Sequence, residues 1–159
     1  MRGGKMEIRK FIRDDIAEVL DICREVRDYH IDILGGYFKP QDDGLEQTFF
    51  LNSLDDSNII ALVAEENGTI LGYLLAEKKD SPHLLRSRIV HISNFGVRKG
   101  SQGQGIGHSL MDALYDICRQ DKIEEIRLGV YNNNKSAYRF YKDYGFEEFE
   151  QRMHIKLPD

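Results

Sequence analysis

The sequence predicts an α+β fold: a central mixed β-sheet flanked by helices. Three observations carry this. Six segments have the apolar blocks or alternation of strands, and four have apolar residues at helical spacing. Asn67-Gly68 joins two of the strands as a tight hairpin, which makes part of the sheet antiparallel. A strand, a glycine-rich corner, a helix and a further strand follow over 89–131, which makes the rest parallel. The order β, α, α, β, β, β, α, β, α, β excludes a doubly wound parallel sheet.

The elements follow in order. Glu7 to Ile12 reads as a short strand. Asp15 and Glu18 have capping-box spacing, with Asp in place of the usual Ser or Thr. Ile16, Val19, Leu20, Cys23 and Val26 then recur at helical spacing and predict a helix from Asp15 to Leu34, stopped by Gly35-Gly36. Tyr37 to Gly44 is a loop. Leu45 to Leu54 is a second helix with Leu45, Phe49, Phe50 and Leu54 on one side. Ile59–Glu65 and Thr69–Ala76 are strands on either side of Asn67-Gly68. Lys78 to Arg88 is polar, contains Pro82 and reads as a loop. Ile89 to Val97 is a strand, Ile106 to Cys118 an amphipathic helix, and Glu125 to Tyr131 a strand. Ser136 to Tyr144 is a short helix capped by Gly145, and Phe146 to Leu157 is a last strand.

The 159 residues suit one domain over 6–159, with 1–5 as a disordered lead. No segment approaches the roughly 18 apolar residues of a membrane span, and no apolar run follows the basic N-terminus as in a secretory signal. A net charge of −5 argues against a nucleic-acid partner, since such binding rests on a basic face. Cys23 and Cys118 fall on apolar helix faces and read as reduced core thiols, in keeping with a cytoplasmic location. The His spacings of a metal site are absent, so no metal is assigned.

The informative segment is Val97-Arg98-Lys99-Gly100-Ser101-Gln102-Gly103-Gln104-Gly105-Ile106-Gly107, between strand and helix. Glycines let the backbone turn sharply and approach a ligand. The first turn of the next helix leaves N–H groups without partners, and its dipole favours negative charge. Together these make a phosphate cradle. A dinucleotide GxGxxG would need glycine at 108, where His108 stands, and the Gly-Lys-Ser/Thr ending of a Walker A loop is absent. Arg98 and Lys99 stand ready to add positive charge or simply to be solvated.

This segment resembles the loop of the GCN5-related N-acetyltransferase (GNAT) superfamily, Gln/Arg-x-x-Gly-x-Gly/Ala, through Gln102, Gly105 and Gly107. A second signature, Asn-x-x-Ala-x-x-x-Tyr followed by Gly-Phe, is matched by Asn134, Ala137, Tyr141, Gly145 and Phe146. The resemblance covers nearly the whole chain. It implies that the fourth strand, Ile89 to Val97, splays from the fifth to admit the pantetheine arm of acetyl-CoA, which pairs with main chain near Phe95 and Val97. The amides of Gly103, Gly105, Ile106, Gly107 and His108 would face the pyrophosphate, with Gln102 as the motif's first residue. Asn134 would contact the cofactor arm, although it is also an ideal N-cap. Tyr141 would protonate the departing thiolate as a general acid, although it also lies on an apolar stripe with Ala137, Phe140 and Tyr144.

The implied activity is direct transfer of acetyl from acetyl-CoA to a primary amine of a small molecule, polyamine or protein. The fourth strand has no Asp or Glu, so His91 is the candidate base and Asn94 the candidate to position water or substrate. His30, near Tyr29 and Tyr37, would line the acceptor region or serve as a half-exposed packing residue. Asp42-Asp43 and Asp55-Asp56 would attract a cationic amine or be solvated, and Glu65-Glu66 would face solvent. The alternative reading is a module that binds CoA or acyl-CoA as a sensor and transfers nothing. A homodimer is left open, with the last strand as a candidate edge.

Overall fold

The computed structural model describes residues 4–159. Most of the lead expected over 1–5 lies outside the described residues. The chain divides into two compact units, one through Gly129 and the other Val130–Asp159.

The first unit is a five-stranded sheet in the order β1-β2-β3-β4-β5. Its strands are β1 (Glu7–Lys10), β2 (Ile59–Glu66), β3 (Thr69–Asp80), β4 (Arg88–Val97) and β5 (Glu125–Arg127). Its helices are α1 (Ile16–Leu34), α2 (Asp43–Asp55) and α3 (Ile106–Gln120). β1 to β4 are antiparallel neighbours, and β5 adds to β4 in parallel after α3. This is the mixed, helix-flanked sheet that the sequence predicts. The hairpin between β2 and β3 turns on Asn67 (φ 53°) and Gly68 (φ 77°), both left-handed as a type I′ turn requires.

Each face of the sheet has its own helices. A Cβ on Gly96 would meet Val26 and Ile22 of α1, whereas a Cβ on Gly72 would meet Ile106 and Leu110 of α3. On the α1 side Val19, Ile22 and Cys23 pack with Phe50 of α2 and with Val63, Tyr73 and Leu75. On the other side α3 buries Ile106, Leu110, Met111, Leu114 and Cys118. Burying an aliphatic side chain of this size contributes about 2 kcal/mol, so α3 is fixed mainly by these five residues. Both cysteines are free and buried. No helix among the described residues is long and apolar enough to cross a membrane.

Several local expectations are corrected. Asp15 does not cap α1 through a box with Glu18. Its carboxylate accepts two hydrogen bonds of 2.8 Å from the Arg9 guanidinium and one of 2.9 Å from the Ile12 amide, while Glu18 reaches Ile70. Residues 78–80 extend β3 instead of forming a loop, because Lys78 pairs with Val90 and its ammonium reaches Asp121. On α2 only Phe50 of the expected apolar face is fully buried; Leu45 is 70% exposed. Asp42 caps α2 from its side chain, Asp43 pairs with Arg24, Asp55 with Arg13, and Asp56 accepts from the Asn58 amide. These acids serve local structure. Glu65 is half-buried and bonded to Arg9 rather than facing solvent.

The second unit contains α4 (Lys135–Tyr144). Asn134 caps it, accepting from the Ala137 amide at 3.2 Å, and Gly145 ends it at φ 117°. The residues after Gly145, expected as a strand, form none here: a strand needs a partner, and this unit taken by itself holds no other.

Candidate active site

The glycine corner has the backbone its sequence requires. Gly100, Gly103 and Gly105 take φ of 88°, 77° and 80°, the left-handed region where other residues are strained. A Cβ on any of the three would meet nothing within 4 Å, so conformation and not crowding selects glycine. α3 then opens directly: the amide of Ser109 bonds the carbonyl of Gly105. The amides of Gly103, Gly105, Ile106 and Gly107 close no hydrogen bond among the described residues. Gln102, Gly103 and His108 are exposed, whereas Ile106 is buried beneath them. This donor set, with open space around it, fits a pyrophosphate.

Arg98 is not a phosphate ligand in this arrangement. Its Nε donates to the Ile70 carbonyl at 2.8 Å, and its guanidinium lies 3.4 Å from Glu18. The Lys99 amide donates to Glu25 at 2.6 Å, while its side chain is exposed.

β4 pairs with β3 along its length, but with β5 only at Ile89, Val90 and His91. From Ile92 to Val97, the stretch that holds Phe95 and runs to the corner, β3 is the strand partner. The two strands therefore part company as the family resemblance implies. The β3 register also shifts: Leu75 faces Asn94 and Ala76 faces Ile92, leaving Ser93 as a bulge. His91, opposite Glu77 and Arg127, and Asn94 consequently share the α1 side of the sheet. The Ser93 hydroxyl donates to the Leu75 carbonyl at 3.4 Å.

His30, at the end of α1, packs against Phe38 and Tyr29 with ring centroids 5.8 and 6.1 Å away. Burial, and then the charge of Arg27, lowers its pKa. Arg27 lies 5.2 Å over the Phe38 ring and pairs with Glu46.

In the second unit Tyr141 sits among Phe140 and Phe146, at 5.4 and 5.7 Å. Desolvation pushes its phenol up to about 12. Asn134 is only 8% exposed. The first unit thus gathers Phe95, Val97, Gln102, Gly103, Gly105, Ile106, Gly107 and His108 on one strand–corner–helix run, and the second places Asn134 and Tyr141 on one helix.

A strand that loses its neighbour, a left-handed glycine corner and an open helix head stand together in this fold. The chain belongs to the Acetyltransferase (GNAT) family, whose pattern matches residues 21–146, and it is an acetyltransferase enzyme. It is 30% identical over 96 residues to the L-amino acid N-acetyltransferase AaaT of Escherichia coli (strain K12), a match covering 58% of this chain and 56% of that protein. The crystal structure of a BH1408 tetramutant from Bacillus halodurans superposes with a TM-score of 0.87 at 26% identity, covering 95% of this chain and 99% of that one. A predicted acetyltransferase from Clostridium acetobutylicum, solved with acetyl-CoA, shares the fold with a TM-score of 0.73 at 24% identity over 96% of each chain.

Sequence reasoning did not anticipate Ser93, Glu18 or Glu25. A bulge leaves no compositional mark, Glu18 reads as half of a capping box, and Glu25 has no local partner in the sequence to single it out. Their partners lie 52 to 80 residues away.

Proposed function

We propose that the chain moves an acetyl group from acetyl-CoA to a primary amine by direct attack. The observation that carries this reading is the run of amides at Gly103, Gly105, Ile106 and Gly107, reached along the part of β4 that β5 leaves. These amides and that of His108 hold the pyrophosphate, and Gln102 lines the corner beside them. The main chain near Phe95 and Val97 receives the pantetheine arm as an added strand would. Asn134, besides capping α4, contacts that arm.

Bound acetyl-CoA supplies the acetyl group as a thioester. The acceptor nitrogen forms its bond to the carbonyl carbon, a β4 backbone N–H stabilises the oxyanion, and the C–S bond then breaks. Tyr141 gives its proton to the sulfur as it leaves. A phenol at about 12 is a weaker acid than a free thiol near 8.5. The transfer is favourable only where the same dry surroundings destabilise the thiolate too. His91 takes the proton from the attacking amine, and Asn94, on the same side of the sheet, orients the amine or a water. The acceptor is a small molecule, polyamine or protein amine.

One observation favours a second reading, a CoA or acyl-CoA sensor: β4 carries no Asp or Glu. Release of free thiol from acetyl-CoA over a panel of amines separates the two. Amine-dependent release that falls in Tyr141→Phe supports transfer. Coenzyme binding with no release on any amine supports the sensor.

A further inference from the structure

We propose that Glu25 is a positioning residue for the coenzyme phosphates, acting through the backbone of Lys99; this rests on the coenzyme reading above. Glu25 Oε2 accepts a 2.6 Å hydrogen bond from the Lys99 amide. Lys99 is the second residue past β4 and immediately precedes Gly100, the first of the three left-handed glycines. Glu18 lies seven residues earlier on α1, two turns away on the same stripe. It accepts from the Ile70 amide at 2.9 Å and stands 3.4 Å from the Arg98 guanidinium. Arg98 is further tied by its own amide to the Leu71 carbonyl at 2.8 Å, and its carbonyl accepts from the Ser101 amide at 3.0 Å. α1 thus holds both residues at which β4 turns into the corner.

The arrangement has a chemical cost that a function explains. A carboxylate near a phosphate site repels the ligand, and a surface with no need of the loop's position gains little from placing one there. A corner built on glycine is also loose, so binding an anion to its amides costs ordering entropy. Anchoring its first residue lowers that cost before the ligand arrives, and a hydrogen bond from the Lys99 amide disperses part of the Glu25 charge. Glu25 touches no reacting atom in this account. It acts by holding the donors where phosphate oxygens meet them.

The test is titration calorimetry of the full chain with CoA, alongside an NMR titration with pantetheine, which lacks the phosphates. Glu25→Ala should weaken CoA about tenfold, the scale of one charge-assisted hydrogen bond partly lost to water, and leave pantetheine unchanged. Glu25→Gln keeps an acceptor for the amide and removes the repulsion of the phosphates, so it should bind CoA at least as well as the wild type. Glu25→Asp keeps the charge but withdraws it by one methylene, and should resemble alanine. The proposal is overturned by an alanine variant equal to wild type, by equal loss for CoA and pantetheine, or by a glutamine variant as weak as alanine. A wild type that ignores CoA would sink the coenzyme reading itself, a result distinct from all of these.

Discussion

His91 and Asn94 stand three residues apart in β4, yet both face the α1 side of the sheet. Regular pleating would put residues three apart on opposite sides. The bulge at Ser93 absorbs the extra residue: Asn94 lies opposite Leu75 and His91 opposite Glu77, so the candidate base and the candidate positioning amide belong to one surface.

Deleting Ser93 restores an unbroken ladder while leaving His91 and Asn94 on that same surface. The fold should survive, with a thermal midpoint within a few degrees of wild type. With the N–H at the bulge as the β4 donor proposed for the oxyanion, turnover should drop by at least about 100-fold, the loss expected when one such donor is removed. Thiol-release kinetics beside a melting curve checks this. A deletion variant that turns over normally would show the bulge to be incidental.

Tyr141→Phe removes only the hydroxyl from an aromatic cluster. Transfer should slow by about 100-fold or more, with CoA affinity nearly unchanged. The wild-type phenol, pushed up to about 12 by desolvation, must be protonated to act. No loss of rate assignable to it should therefore occur until the pH nears that value. Comparing kcat–pH profiles of the two proteins decides the point, and an alkaline limb near pH 9 that vanishes in the variant would contradict the assignment.

Asp15 is a stability device. Burial alone would raise its carboxyl pKa, but the hydrogen bonds from Arg9 and the Ile12 amide, with the Arg9 charge, bring it below the ordinary value. The stabilisation it contributes is therefore present above the ordinary carboxylate range and lost as the pH falls through the lowered folded value. Asp15→Asn should cost about 2 kcal/mol near pH 7 and nearly nothing once both forms are protonated. Urea midpoints from pH 7 down to pH 2.5 would show the two curves converging.

The legible features were those that local chemistry dictates. Asn67-Gly68, the Gly145 exit, the Asn134 cap and the left-handed corner each need particular residues at particular backbone angles. The stripe on α3 fixes which face is buried. What stayed hidden depends on partners distant in sequence. Lys78 to Asp80 look like loop residues until Arg88 to Val90 lie beside them. Glu18 looks like half of a capping box until the Ile70 amide is within reach. Leu45 fits a helical stripe, but α2 needs only Phe50 for its deepest contact.

The central claim is that the main-chain donors at the head of α3 bind phosphate. The most direct measurement is a backbone amide NMR titration with CoA. The account predicts that Gly103, Gly105, Ile106 and Gly107 shift most and saturate together, and that pantetheine barely moves them. Saturable CoA binding that leaves these four amides still, while resonances elsewhere move, would contradict it.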